Sequence, residues 1–327
     1  MPLISIVTSC LNEEDNVEEL HQRIRAQFED RPGYDFEHLF VDNGSTDATV
    51  QRIKNLAAAD SRVKLIVNAR NFGHIRSPMH GMYEASGDAV VCMASDLQDP
   101  PELIDDFLRH WEAGFLIAIG TKPRTRETWA MAVIRRLYYR TLGRMSDVPL
   151  IPDYTGFGLY DRSVVEIVRK IDDPYPYFRG LIAELGINYA CVEFEQPRRI
   201  RGITKNNFYT LYDMAMLGLT SYSKFPLRLA TLSGFLLGGL SLLISLVYLV
   251  LKITFWNQFA IGTAPVLIGV FFFAAVQLFF IGLVGEYVAS IHTQVARRPL
   301  VIERERVNLP DSPHLPRHSG QHHGSQS

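Results

Sequence analysis

Two apolar stretches near the C-terminus, Leu229–Leu251 and Ile261–Val284, constrain this chain more than any other feature of its sequence. A helix rises about 1.5 Å per residue, so about 20 residues cross a hydrocarbon core of about 30 Å. Both stretches reach that length, against the competing reading of a hairpin buried inside a soluble protein. Pro265 and Gln277 in the second favour packing against a partner helix over full exposure to lipid. Lys224 and Arg228 precede the first stretch, Arg297, Arg298, Arg304 and Arg306 follow the second, and the connecting loop has only Lys252 near its start. The positive-inside rule then predicts a multi-pass protein of the inner (plasma) membrane, with both termini and the large N-terminal part cytoplasmic. No basic leader accompanies the opening Leu3-Ile4-Ser5-Ile6-Val7, so the spans are expected to do the targeting. Neither span carries a charge away from its ends, which argues against a transporter or channel.

The N-terminal part alternates two periodicities. Ser5–Cys10, His38–Val41, Val63–Val67, Ala89–Met93 and Leu116–Ile119 read as strands. Between them Val17, Leu20, Ile24 and Phe28, then Val50, Ile53, Leu56 and Ala57, then Met79–Ala85, then Leu103, Phe107 and Trp111 recur at helical spacing. Strands alternating with helices predict an α/β domain, a mostly parallel sheet covered on both faces, with ligands beyond the carboxyl ends of its strands. Polar clusters sit at those ends: Asn12-Glu13-Glu14, Asp42-Asn43-Gly44-Ser45 and Asp96–Asp99. A formal charge of -2 gives no basis for non-specific nucleic-acid binding. Cys10, Cys92 and Cys191 are far apart and form no Cys-x-x-Cys pair, so they read as reduced thiols. Trp129–Leu142 is basic and aromatic, which suits either an interfacial helix or a packing helix, and Phe208–Tyr222 has a similar aromatic character. The tail after Leu309 is rich in Pro, His, Ser and Gly and reads as disordered; its His314, His318, His322 and His323 would bind metal only adventitiously.

Three clusters could carry chemistry. Asp96 ends a strand, with Gln98 and Asp99 on the turn before Pro100-Pro101. Oxygen ligands at that spacing suit a hard divalent ion, Mg²⁺ or Mn²⁺, completed by water and substrate phosphates. Helix capping by Asp99, with Glu102 in the first turn, is the structural alternative. In Asp42-Asn43-Gly44-Ser45-Thr46-Asp47 a carboxylate at a strand end can accept hydrogen bonds from a base or ribose, or the segment is a turn capped by Ser45 or Thr46. No Gly-x-Gly-x-x-Gly and no phosphate loop with Gly-x-Lys-Ser/Thr is present. The cations of Arg198–Lys205 can clamp phosphates or meet anionic lipid heads, or simply flank the membrane segment.

Taken in order, these segments resemble glycosyltransferase family 2, and within it the polyisoprenyl-phosphate glycosyltransferases related to dolichol-phosphate mannose synthase, of the bacterial two-span bactoprenol type. The resemblance runs from about Pro2 to Leu300. It rests on Leu11-Asn12-Glu13-Glu14, Val41–Asp47, Arg70-Asn71-Phe72-Gly73, Ser86-Gly87-Asp88, Asp96–Glu102, Gly202-Ile203-Thr204-Lys205 and Gly285-Glu286-Tyr287. It implies a GT-A fold, a mixed and mostly parallel sheet with flanking helices, plus the C-terminal transmembrane hairpin. The implied activity is inverting transfer of a sugar from a nucleotide sugar, UDP-linked by expectation, to polyprenyl phosphate in cell-envelope glycan synthesis. The implied donor-binding residues are Asn12, Glu13, Asp42, Asn43, Ser45 and Asp96. Asp96 and Gln98 would hold Mg²⁺ or Mn²⁺, and Arg199, Arg201 and Lys205 would bind phosphate or lipid. Asp96 and Asp153 would be catalytic. Two departures stand out. The family's Asp-x-Asp reads Ala94-Ser95-Asp96, and its Gly-Asp-Phe reads Thr155-Gly156-Phe157, with Asp153 the available substitute; Asn43 also replaces a frequent Asp.

The expected organisation is a cytoplasmic domain over residues 1–206, a juxtamembrane amphipathic helix over 207–226, two spans over 227–290, and a cytoplasmic tail over 291–327 that is disordered after about 309. The expected partners are the nucleotide sugar, polyprenyl phosphate, the bilayer and a second copy of the chain, with no nucleic acid. Two alternatives remain: another lipid acceptor such as a glycerolipid hydroxyl, and a non-catalytic scaffold with a degenerate transferase domain.

Overall fold

The computed structural model describes residues 1–122, 151–197, 225–255, 263–296 and 298–311. The cations Arg199, Arg201 and Lys205, the Trp129–Leu142 segment and nearly all of the expected juxtamembrane helix lie outside them. The described residues form two units, a sheet domain and a pair of long helices.

In the sheet domain β1 (Leu3–Cys10), α1 (Val17–Glu29), β2 (Asp35–Asp42), α2 (Thr49–Ala59), β3 (Val63–Asn68), α3 (Gly73–Glu84) and β4 (Ala89–Ala94) alternate as the apolar spacing predicts. Helix α4 (Ile104–Glu112), β5 (Ile117–Thr121), β6 (Tyr154–Asp161), α5 (Arg162–Ile171), α6 (Phe178–Glu184) and β7 (Tyr189–Glu193) follow. An eighth strand, β8 (Glu303–Val307), comes from beyond the apolar helices. The strands lie in the order β7-β5-β6-β4-β1-β2-β3-β8. The pairings β4–β1, β1–β2, β2–β3 and β5–β7 are parallel, while β4–β6, β5–β6 and β3–β8 are antiparallel. The expected mixed, mostly parallel sheet is met.

Period-two side chains build a core on each face. Ile4 and Ile6 of β1, Phe36 and Phe40 of β2 and Val63, Leu65 and Val67 of β3 pack with Leu20, Ile24, Ile53 and Phe107 from α1, α2 and α4. Val7, Leu39, Val41, Ile66 and Val90 face the other way, onto Met79, Met82, Val164, Val168 and Leu181 of α3, α5 and α6. The domain is therefore three layers, helices–sheet–helices.

Strand β8 corrects the expected domain boundaries. Glu303-Arg304-Glu305-Arg306-Val307 falls within the expected tail over 291–327, yet it pairs with β3, and Glu303 is wholly buried. Charge hid the strand from a hydrophobic-period reading, because its inward group is an ion-paired carboxylate. The Ser86-Gly87-Asp88 segment lies at the amino end of β4, away from the ligand edge. There Glu37 accepts from Ser5 Oγ (2.5 Å) and Ser86 N (2.7 Å), and Asp88 accepts from Leu3 N (2.8 Å). Its role is to close that end of the sheet.

The second unit consists of α7 (Phe225–Thr254) and α8 (Thr263–Val295), 30 and 33 residues long. They extend beyond both expected spans, to about 45 and 50 Å. Among the described residues one segment, Gly269–Val295, is long and apolar enough to cross a membrane, and Phe225–Ser241 is a shorter apolar run. Phe235, Phe271, Leu278 and Phe279 are exposed along the helices. Thr231, Thr254 and Thr293 donate their hydroxyls to carbonyls one turn back, at 2.8–3.0 Å, which satisfies them without solvent.

A buried histidine pair under α1 makes the domain acid-sensitive. His38 Nδ1 lies 3.2 Å from His21 Nδ1, and its Nε2 lies 3.1 Å from Thr8 Oγ1. Burial, then the neighbouring His21, holds His38 well below its ordinary 6.5, and burial lowers His21 too. The unfolded chain therefore binds more protons below pH 6.5, and stability falls as pH drops through that value, by up to about 1.4 kcal/mol per pH unit per histidine. The thermal midpoint should fall between pH 7.5 and 5.5, and His38→Gln should flatten part of that fall while lowering the midpoint at pH 7.5.

Candidate functional site

The parallel register sets the carboxyl ends of β4, β1 and β2 side by side, with Ala94 opposite Ser9 and Cys10 opposite Asp42. Two inter-strand spacings, about 10 Å, separate the turn after β4 from the turn after β2. The structure thus gathers Asn12, Glu13, Asp42, Asn43, Ser45, Asp96 and Gln98 on one edge.

The β1 and β2 turns are laced together. Asn12 adopts a left-handed backbone (φ 56), donates its amide to Ser45 Oγ (2.9 Å) and accepts from Thr46 N (2.8 Å). Asp42 is fully buried and accepts from Gly44 N and Ser45 N, both at 3.1 Å on Oδ2. Ionised carboxylate oxygens keep spare acceptor capacity beyond those bonds. Glu13 is buried, and its Oε2 accepts from Asn16 Nδ2 (2.5 Å) at the start of α1. Asn43 is wholly engaged within the protein. Its Oδ1 accepts from Phe72 N (2.8 Å) and Asn68 Nδ2 (3.3 Å), and its Nδ2 donates to Asn71 Oδ1 (2.9 Å) and Gly73 O (3.1 Å). Asn43 therefore shapes the site by fixing residues 68–73, which accounts for the Arg70-Asn71-Phe72-Gly73 segment.

The turn after β4 alternates sides. Asp96 and Gln98 are half-buried, while Leu97 is buried with a left-handed backbone (φ 60). Asp96 Oδ1 accepts from Gln98 N (3.2 Å). Asp99 turns back to accept from Ala94 N (2.9 Å) and does not cap the short 3₁₀ turn Pro101–Leu103, whose N-cap Pro100 has no side-chain bond and which leads into α4. Burial pushes the Asp99 carboxyl up to about 6. Among the described residues no three His, Cys, Asp or Glu side chains come together as a metal cage. One carboxylate and one amide at Asp96 and Gln98 form a sparse oxygen pair. Such a pair fits Mg²⁺ or Mn²⁺, ions that keep waters and take phosphate oxygens as further ligands.

Two cations that sequence reasoning missed stand at the same edge. Lys122 follows β5 and donates its amide to Asp153 O (3.1 Å); its ammonium, lowered by burial, feels Asp99, Asp96 and Arg179. Arg179 donates to Tyr154 O (3.4 Å). The rule that ligands sit at strand carboxyl ends was applied to the first, second and fourth strands and would have found Lys122 after the fifth. Asp153 also has a left-handed backbone (φ 55). The β4–β6 ladder ends with Cys92 opposite Gly158, and β6 is irregular just before that point, where Gly156 takes φ +100. A Cβ added at Gly156 would meet nothing within 4 Å.

Gly44 has φ +83, and a Cβ there would stand 3.0 Å from Arg70 C and Asn71 N, both backbone. Gly44→Ala should cost about 1–3 kcal/mol in urea unfolding.

A sequence profile of glycosyl transferase family 2 matches residues 5–168. An uncharacterized glycosyltransferase of Bacillus subtilis, YkcC, is 33% identical over 306 residues, 93% of this chain and 94% of that one. The bactoprenol glucosyl transferase of Shigella phage SfII is 31% identical over 300 residues, 91% of this chain and 96% of that one. A prophage bactoprenol glucosyl transferase homolog of Escherichia coli is 28% identical over 300 residues, 91% and 97% of the two chains.

Proposed function

The chain belongs to glycosyl transferase family 2, and from that premise we propose that it moves a sugar from a nucleotide sugar to polyprenyl phosphate at a membrane surface. The observation that carries the acceptor is the joint one of full-length likeness to bactoprenol glucosyl transferases and an apolar helix, Gly269–Val295, in the same chain. The donor's base and ribose belong at the Asp42–Ser45 turn beside Asn12. The diphosphate belongs about 10 Å away at Asp96 and Gln98. UDP is the expected nucleotide. Bound Mg²⁺ or Mn²⁺ would act as a Lewis acid on the leaving diphosphate.

The residues themselves hold and orient. Asp42 and Asn12 fix the Ser45 hydroxyl and the turn amides as a nucleoside cradle. Asp96 and Gln98 present oxygens outward from a turn locked by Asp99. Lys122 and Arg179, with Arg199, Arg201 and Lys205 from the sequence, offset the repulsion between an anionic donor and an anionic acceptor. A phosphate monoester has its second pKa near ~6 and is largely dianionic at neutral pH. Such a nucleophile needs positioning more than deprotonation, which makes Gly156 in place of an acid tolerable and leaves Asp153 a minor role. A hydroxyl acceptor would instead need a base.

Asp96→Ala should lower transfer from the nucleotide sugar to undecaprenyl phosphate by roughly 10²-fold or more, and Asp153→Asn by less than about tenfold, with product read by mass spectrometry. Near-normal turnover in Asp96→Ala rejects the site. Loss of turnover in Asp153→Asn of the same order as in Asp96→Ala favours a hydroxyl acceptor.

Pairing of β8 with β3 bears on topology. Residues 303–307 lie on the same side of a membrane as the sheet they complete, so the chain between 198 and 302 crosses an even number of times. If α8 crosses, a second crossing belongs to α7, and the protein is multi-pass with the sheet domain cytoplasmic. With Cys191, an exposed thiol, replaced by Ser, a membrane-impermeant maleimide applied to inside-out vesicles should label a cysteine at Glu195→Cys and not one at Asn257→Cys; equal labelling of both would overturn the hairpin.

A further inference from the structure

The strand that arrives after the last apolar helix carries an unusually complete set of side-chain ties, none of which the proposed chemistry uses. Glu303 is wholly buried. Its Oε1 meets His80 Nε2 (2.5 Å) and Arg306 Nη2 (2.6 Å), and its Oε2 meets Arg306 Nε (2.5 Å). Arg306 Nη2 also reaches Glu84 (2.7 Å). Burial alone would raise the Glu303 carboxyl, but Arg306 and His80 outweigh it and hold it at about 2. Both outside partners, His80 and Glu84, belong to α3. Further along, Asn308 Nδ2 donates to Ala57 O and Val63 O, both at 2.9 Å, and Ala69 N donates to Ile302 O (2.8 Å).

Helix α3 is the support of the β2 turn. It lies flush on the sheet at Gly81, where a Cβ would come within 2.7 Å of Val7 and Val41 side chains. In its first turns Ser77 Oγ accepts from Asn68 Nδ2 (3.1 Å) and from Ser9 Oγ (3.3 Å). Its leading residues, Asn71–Gly73, are those that grip Asn43, next to Asp42 and Gly44. A continuous chain of packed groups thus runs from β8 through α3 to the nucleoside cradle.

We infer that β8 is a positioning clamp for the donor pocket: Glu303 and Arg306 fix α3 through His80 and Glu84, and α3 fixes the Asn43–Gly44 turn through Ser77 and residues 71–73. The inference rests on the donor-site reading above and adds to it that nucleotide affinity depends on a segment beyond the apolar helices. A buried ion cluster suits this task, since it fixes register where a greasy contact would slide, and removing only one partner would strand a charge.

The test cuts the two ties to α3 without stranding a charge. In the double variant His80→Leu/Glu84→Gln, Glu303 and Arg306 still neutralise each other and the β3–β8 ladder is untouched. The full chain in detergent is titrated with UDP and with GDP, each with MnCl₂, by calorimetry. The double variant should bind about fivefold or more weakly than the wild type. His80→Gln, which keeps a hydrogen-bonding group in reach of Glu303, should recover most of the affinity. Amides of residues 69–77 should exchange faster with solvent, those of α1 should not, and the KM for undecaprenyl phosphate should stay within twofold. If the double variant does not fold, Glu84→Gln alone, at a partly exposed side chain, should still weaken binding measurably. Variants that bind within twofold of a nucleotide-binding wild type overturn the clamp alone. A wild type that binds neither nucleotide overturns the donor-site reading, and the clamp with it.

Discussion

The in-register parallel pairing of β4, β1 and β2 is the constraint on which the rest of the molecule depends. It brings three strand ends to one edge and lets turns far apart in sequence share a ligand. The register is fixed by burial on both faces: Ile4 and Ile6 enter one core while Val7 enters the other. Slipping one residue would exchange those faces and carry Asp42 and the Asp96 turn out of line. The strained backbone gathers where the strands stop. Asn12, Leu97 and Asp153 take left-handed conformations at the ends of β1 and β4 and at the start of β6. Each costs of order 1–3 kcal/mol and persists because neighbours over-determine it. At Leu97 the neighbour is the core that swallows its side chain, which leaves Asp96 and Gln98 facing outward.

The proposed reaction would bring two anions to an edge that already holds carboxylates. A donor diphosphate and a lipid phosphate repel, and every fixed carboxylate nearby adds to the repulsion. Asp99 is there, but burial raises its carboxyl towards neutrality and its oxygen is taken by Ala94 N. Lys122 and Arg179 stand on the same flank.

Much of the sheet was legible because its signals are local. Hydrophobic period gave β1 to β5 and α1 to α4, and the strand-end rule gave the Asn12, Asp42 and Asp96 clusters. Side-chain destinations were not legible. Asn43 reads as a ligand by position, yet its amide is taken by residues 68–73; Asp99 reads as a helix cap, yet it closes its own turn. These outcomes depend on which of several polar neighbours wins a geometric competition, and spacing does not encode that. Strand β8 was missed for a different reason. Glu303-Arg304-Glu305-Arg306 has the composition of a solvated tail, and only its partners His80 and Glu84, more than two hundred residues earlier, turn charge into a buried contact.

Strand β8 also solves a problem that the sheet creates. Without it β3 would be an open edge, Val63–Asn68, whose amides and carbonyls invite pairing with another chain. The strand that covers it is heavily charged and short, so the new edge is a poor template for further addition. Its position in the chain orders folding. All of β1 to β7 is synthesised before Glu303, and the helices α7 and α8 intervene, so the β3 edge stays open until the chain returns from the apolar segment. Long-range contacts such as Lys54 with Glu305 (2.7 Å), 251 positions apart, are slow to form because loop closure must precede them. The sheet is thus completed only after the apolar helices have been made, and its β3 edge is the last to be covered.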